Sequence, residues 1–305
     1  MSSTRAYLSR IAYAVGDRAA LSELDDPVIA RELDNLHQDG MSHCRVAKEG
    51  RTLLAVSAAR QSLGGTPGEA TDGVVYCTDT VAGTPTREVR RLLAGLECPP
   101  GPVMMAGGNA CGNLGTGLEI ATGWLSAGRA SSVLLVTADE FTEGTRYLAA
   151  GRTALSDGAA SCVVSTAPAG ASFRILGMAS GGAGGTEPAA GHSHALRETA
   201  EGIGQSVSRA TEAAGVPVSD YRYILTGNLG HMMRVFLAMA AGFKPDRVYA
   251  PQVSSMAHCF AADILIALDS IVAEKLIVPG DKLMLLPTSM GSWSAIAVEH
   301  VDQRV

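Results

Sequence analysis

Two stretches place chemically capable side chains at the start of an apolar helical run. "GGNACGNLGTGLEIATG" sets Cys111 between a glycine-rich turn and one such run. "SSMAHCFAADILIALD" sets His258 just before another. A helix N-terminus carries free N–H groups and partial positive charge, which favour a thiolate and can receive an oxyanion. The residues around Cys111 are small, so a substrate can approach it. Asp263 follows five residues after His258. A helix beginning near Phe260 puts Asp263 in its first turn, from which the carboxylate can reach back to the ring. A Cys–His–acid set suits acyl transfer: the imidazole takes the proton of the thiol and then that of the acceptor, while a third group orients it.

The elements that must position these residues read as alternating strands and helices. Apolar, β-branched runs bounded by turn residues predict buried strands over 73–78, 102–108, 132–139, 160–166, 221–227, 247–251, 282–289 and 294–301. Helical patterns cover 115–128, 201–215 and 259–276. This alternation implies an α/β fold with largely buried sheets. The order of elements repeats. In the first half a helix ending "AARQSLGG" precedes a strand, then a strand, "NAC", a helix and the strand "VLLVTAD"; in the second, "SRATEAAGVPVSD" precedes a strand, then a strand, "AHC", a helix and "KLMLLPTS". The chain therefore reads as two pseudo-duplicated halves, 1–170 with the cysteine and 171–305 with the histidine, in which Cys111 and His258 hold equivalent places. The Gly-rich segment 174–195 between them reads as a crossover loop with His192 and His194 solvated.

The 305 residues are 47% hydrophobic and 18% charged, enough for a large core, and few are aromatic. A net charge of −6 argues against bulk nucleic-acid binding. The six cysteines form no C-x-x-C pair, which weakens zinc and thioredoxin readings, and no metal ligand set is predicted. No run reaches the ~20 apolar residues of a membrane span, and the N-terminus lacks the apolar core of a signal peptide. The expectation is a soluble cytoplasmic protein with reduced cysteines.

"NACGNLGTGLEIATGWLSAGRASSVLLVTADE", "LSDGAASCVVS", "VPVSDYRYILTGN" and "IVPGDKLMLLPTSMGSWSAIAVE" resemble, in that order, segments of the thiolase-superfamily condensing enzymes, closest to β-ketoacyl-acyl-carrier-protein synthase III. The resemblance runs from about residue 50 and is weaker before it. It implies a thiolase-like, five-layered αβαβα fold, a homodimer, and a CoA or acyl-carrier-protein thioester as substrate, with no cofactor. It also implies an oxyanion hole from the backbone amides of Cys111 and of Gly291 in the "SMGS" turn, where Met290 can reshape the acyl pocket.

The departures set the reaction. Condensing members use Cys, His and Asn. Cys111 matches the first. In "LTGNLGHMMR" the first histidine is missing, with Asn228 or a neighbour nearest its place as a candidate lining residue, and His231 falls within the next helix. His258 stands at the Asn position. Decarboxylative condensation wants two hydrogen-bond donors for an enolate, whereas one Cys–His pair serves simple acyl transfer. Cys111, His258 and Asp263 thus resemble the set of a ketosynthase-III-like acyltransferase subgroup in polyketide and related natural-product pathways, which passes acyl groups to a hydroxyl, amine or thiol on a small molecule or carrier. The alternatives are a decarboxylative condensing β-ketoacyl synthase, and a non-catalytic ketosynthase-like partner subunit. Cys259, Cys44, Cys77, Cys98, Cys162, Trp124 and Trp293 read as packing residues, and Arg146 and Arg152 are not assigned to the site.

Overall fold

A computed structural model of the chain describes residues 5–64, 71–81, 83–97, 101–183 and 192–302, with the backbone alone for 192 and 193. In chain order, β1 (Tyr7–Val15) is followed by a ribbon of β2 (Asp17–Ala20) and β3 (His43–Val46). Then come β4 (Gly73–Cys77), β5 (Val103–Ala106), β6 (Ser132–Asp139), a second ribbon of β7 (Tyr147–Leu148) and β8 (Thr153–Ala154), and β9 (Gly158–Ser165). The later part adds β10 (Ala171–Gly182), β11 (Tyr221–Leu225), β12 (Val248–Tyr249), β13 (Lys282–Leu285), β14 (Thr288–Ser289) and β15 (Ser292–Asp302). The helices are α1 (Pro27–Gln38), α2 (Arg51–Ser62), α3 (Pro85–Leu96), α4 (Asn113–Ser126), α5 (His192–Ala214), α6 (His231–Ala240), α7 (Val253–Met256) and α8 (Asp263–Ala273).

The main strands lie in the order β5-β4-β6-β9-β1 and, continuing across β1 and β10, β10-β15-β13-β11-β12. Ranked along the chain, each set has the same order, third-second-fourth-fifth-first. Within each, the second strand runs parallel to the third and fourth, and the fifth is antiparallel to the fourth. The sets join where β1 pairs antiparallel with β10, Tyr7 opposite Arg174, and the buried Ser9 and Ser172 hydroxyls bond at 2.8 Å.

Strand alternation sorts the side chains into layers. Val74 and Tyr76 of β4 and Leu134 and Val136 of β6 face α2 and α3. Val75, Cys77, Val133, Leu135 and Cys162 face the opposite way, into a core with Leu114 and Leu118 of α4 and nearly all of α8. From the other set, Leu225, Leu283, Leu285, Ile296 and Val298 close the same core, while Ile224, Met284, Ala295 and Ala297 pack under α5 and α6. The result is five layers, αβαβα, with α4 and α8 in the middle.

Two strands of the main sheet go beyond the sequence reading, as do the ribbons β2–β3 and β7–β8. β1 lies outside the recognisable segments, and β10 takes up the first part of the expected crossover loop, 174–182. The glycines that suggest a loop serve helix packing: a Cβ at Gly177 would stand 2.3 Å from the Ala210 carbonyl of α5. The rest of that loop, 184–191, and Cys98 lie outside the described residues. His194 is exposed at the start of α5. No helix among the described residues is long and apolar enough to cross a membrane.

Candidate active site

Cys111 sits in a short 3-10 turn, Ala110–Gly112, that leads into α4. Ala110 before it has a left-handed φ of 45°, a conformation unfavourable for a residue with a Cβ. Asp79 at the end of β4 holds it there, its carboxylate accepting from the amides of Gly108 and Ala110. Behind Asp79, the buried Asp139 at the end of β6 accepts from Asp79 N at 2.9 Å and from the Thr78 and Thr80 hydroxyls at 3.1 Å each. Burial pushes the Asp139 carboxyl up to about 6, against the pull of those hydrogen bonds. Neither aspartate was singled out from the sequence; the available signal was an Asp at or just past the ends of two neighbouring parallel strands, β6 and β4, where α/β folds place their sites.

His258 comes from the other half and is 1% exposed. Its backbone is clipped to the segment before β9: its N–H donates to Ala154 O at 3.0 Å and its carbonyl accepts from Ser156 N at 2.8 Å. Buried Arg146 fixes that segment, donating to Leu155 O and to both oxygens of Asp157 at 3.0 Å. His258 Nε2 lies 2.8 Å from Cys111 Sγ, and Nδ1 lies 2.5 Å from Asp263 Oδ2. The structure thus brings Cys111, His258 and Asp263 into one line. Burial alone would lower the His258 pKa, but the negative partners Cys111 and Asp263, with their hydrogen bonds, outweigh it and raise it well above the ordinary value.

Asp263 opens α8, following a 3-10 turn over Phe260–Ala262. Besides His258, it accepts from Cys259 N at 2.8 Å, Asn228 N at 2.6 Å and Asn228 Nδ2 at 3.1 Å. The two halves are related here more closely than the motifs suggested, but in a different register. Phe260, with φ 52°, stands where Ala110 stands in the first half, and Asp263 accepts from the amide four residues back as Asn113 accepts from Asn109 N. Cys111 therefore corresponds to Ala261, and His258 lies three residues further upstream. The equivalence of Cys111 with His258 is corrected accordingly: it is Asp263, not His258, that has a counterpart at the start of α4, in Asn113.

Asn228 also differs from expectation. It is 2% exposed and turned onto Asp263 rather than into the open cavity. The chain makes a tight turn after β11, Leu229 N donating to Gly227 O at 2.8 Å, which sends Asn228 toward α8 and leaves Leu229 in the cavity wall. The residue against the imidazole is Gly227, where an added Cβ would lie 3.2 Å from His258 Cε1.

A cavity of about 270 Å³ opens at Cys111. Leu148, Leu229, Met233, Phe236 and Leu237 give it an apolar wall, Thr288 and Ser289 add hydroxyls, and the 68% exposed Met290 stands at its rim. No charged side chain among the described residues lines it. Met290 and Gly291 form the two-residue turn between β14 and β15; Gly291 has φ 87°, which favours glycine, and its carbonyl accepts from Ala183 N. This hairpin abuts the nucleophile turn, since a Cβ at Gly112 would lie 3.0 Å from Ser292 Oγ.

Other residues fall away from the centre. His231 is exposed at the start of α6, its amide donating to Asp39. Cys44, Cys77, Cys162 and Cys259 are buried and unpaired. Trp124 packs over Gly73 and Trp293 over Gly202. Arg152 pairs with Asp39. Among the described residues no group of three His, Cys, Asp or Glu is placed to hold a metal ion.

Residues 108–184 match the family model described as 3-oxoacyl-[acyl-carrier-protein] synthase III, and 211–300 match the model of its C-terminal part, together more than half of the chain. No curated protein matches the sequence. Among solved structures, the acyltransferase ChlB3 superposes with a TM-score of 0.82 at 18% identity, covering 98% of each chain. The synthase III FabH of Pseudomonas aeruginosa PAO1 gives 0.79 at 20% identity, covering 97% of this chain and 98% of its own. Cerulenin-bound OleA of Xanthomonas campestris gives 0.77 at 16%, covering 98% of this chain and 100% of its own. At these identities the likeness is one of fold.

Proposed function

Because the chain belongs to the 3-oxoacyl-[acyl-carrier-protein] synthase III family, we propose that it is a ketosynthase-III-like acyltransferase working through an acyl-enzyme on Cys111. The observation that carries this is the unbroken Cys111–His258–Asp263 line with no second imidazole beside it among the described residues. Cys111 Sγ attacks the carbonyl carbon of a CoA or carrier-protein thioester. The new S–C bond forms, the bond to the donor sulfur breaks, and His258 passes the thiol proton to the departing thiolate. An incoming hydroxyl, amine or thiol then gives its proton to His258 and attacks the acyl carbon, the Sγ–C bond breaks, and His258 returns the proton to the released Sγ. Asp263 stabilises the imidazolium and keeps Nε2 toward the sulfur. The amides of Cys111 and Gly291 are assigned to the oxyanion, a role supported by the contact between their two turns. The apolar cavity, with Met290 at its rim, takes the acyl group. We extend the same reading to a homodimer serving natural-product assembly in the cytosol, on the family resemblance.

The test is mass spectrometry of the intact protein after incubation with a panel of acyl-CoA and acyl-carrier thioesters. An acyl mass mapping to Cys111, released on addition of an acceptor, is expected. No adduct across the panel, or one that persists in Cys111→Ala, overturns the proposal. Release of CO2 from a malonyl thioester with a new C–C bond replaces it with condensation.

A further inference from the structure

The catalytic line is held from a side that the Cys–His–Asp set does not include. Gly227 and Asn228 form the tight turn beyond β11, and that turn lies over the edge where the imidazole meets the carboxylate. At Gly227 an added Cβ would be 3.2 Å from His258 Cε1, 3.5 Å from Nδ1 and 3.4 Å from Asp263 Oδ2. Cε1 is the carbon between the two ring nitrogens, so pressure there moves Nε2 away from the sulfur. The ring has little room to yield. Its backbone is bonded on both sides to the 154–156 segment, and Phe260 stacks beside it at 5.9 Å and 28°. Asn228 supplies two of the four donors on Asp263, one to each oxygen. The turn is itself anchored: the Asn228 carbonyl accepts from the buried Thr153 hydroxyl at 2.8 Å, and Gly230 N donates to Gly151 O at 2.8 Å.

We propose that Gly227 and Asn228 are a positioning clamp for the His258–Asp263 pair: the bare α-carbon at 227 gives the imidazole its seat, and the two N–H groups of Asn228 aim the carboxylate at Nδ1. With Oδ1 accepting from Asn228 Nδ2 and Cys259 N, and Oδ2 accepting from Asn228 N, the place left on Oδ2 takes the His258 Nδ1–H, so Nε2 faces Cys111. Neither residue touches substrate. Asn228 acts through Asp263, and Gly227 acts by leaving space. The clamp also sets specificity of reaction, because a larger side chain at 227 would press on the imidazole and its carboxylate partner and displace the single base that acyl transfer uses. The proposal rests on the Cys111–His258–Asp263 assignment.

Alkylation of Cys111 by iodoacetamide tests it without any acyl donor or acceptor, so it reads the clamp even where no thioester acylates the enzyme. The full chain is alkylated across about pH 5–9, and modification is followed on the Cys111 peptide, with thermal melting as the check of folding. The titratable groups in contact with His258 are Cys111, on Nε2, and Asp263, on Nδ1. Asn228→Ala, which keeps the main-chain donor, is expected to move the acid limb of the rate profile to higher pH and to slow alkylation near its foot by about tenfold, the worth of one hydrogen bond to a charged group. Gly227→Ala is expected to move it the same way, and Gly227→Ala with His258→Ala no further than His258→Ala alone. A folded Asn228→Ala protein with the wild-type profile overturns the clamp, whatever Gly227→Ala does.

Discussion

The carboxylate of Asp263 meets four donors, from three different residues. Replacing it with Asn keeps the shape and reverses the hydrogen bonding on one side: an amide N–H then faces either the Asn228 and Cys259 amides or the His258 Nδ1–H. The ring is left free to turn its proton toward Cys111, the wrong tautomer for a base. Asp263→Asn should reduce acyl transfer on the order of 10³-fold while the protein remains folded; single-turnover acyl transfer beside a melting curve checks it, and near wild-type transfer would remove Asp263 from its orienting role. At this scale the sequence pointed to three side chains that the fold brings together, because helix-start chemistry and the order of motifs are written in neighbouring residues. Asn228 was read as a lining residue because a single sequence cannot say which way a side chain leaves a tight turn.

Helix α4 connects the nucleophile to the sheet, and its glycines are of two kinds. Gly117 faces the strands: a Cβ there would lie 2.5 Å from Leu135 Cδ1 and 2.8 Å from Cys77 Sγ. At Gly123, in the same helix, a Cβ meets nothing within 4 Å. Gly117→Ala should destabilise by about 1–3 kcal/mol through overpacking, even though alanine is the better helix former. Gly123→Ala should stabilise by up to about 1 kcal/mol, since only helix propensity changes. Urea unfolding of both variants separates the two effects, and equal shifts in the same direction would refute the flush docking of α4. Such docking also explains β10, where helix α5 presses on Gly177. In β10 the glycines made a strand read as a loop.

For the whole molecule, two copies of one topology meet across β1 and β10, and Cys111 and His258 come from different copies. The charge behind the nucleophile turn has a cost in stability. Asp139 ionises in the folded protein at about 6 rather than near 3.8. A carboxyl whose folded value is raised stabilises the protein below its unfolded value, and that contribution is lost as pH rises through the folded one. Stability should therefore lose about 3 kcal/mol from this group between about pH 4 and pH 6, before other groups are added. In Asp139→Asn, whose side-chain oxygen can still accept from Thr78, Asp79 and Thr80, that slope should be absent. Calorimetric melting at stepped pH measures the difference, and an identical slope in the two proteins would show that Asp139 does not carry it.

The sequence by itself determined the α/β class, the duplicated order of elements, most strand positions, and the identity of Cys111, His258 and Asp263. These follow from local periodicity and from helix-start chemistry, which neighbouring residues encode. Only the tertiary structure decided the register between the halves, which matches Asp263 with Asn113 and leaves His258 out of register with Cys111. It alone placed Asp79 under the Cys111 turn, and Gly227 and Asn228 over the imidazole. Those contacts join residues far apart in the chain, and their distances depend on how two sheets and two central helices pack, which no local pattern records.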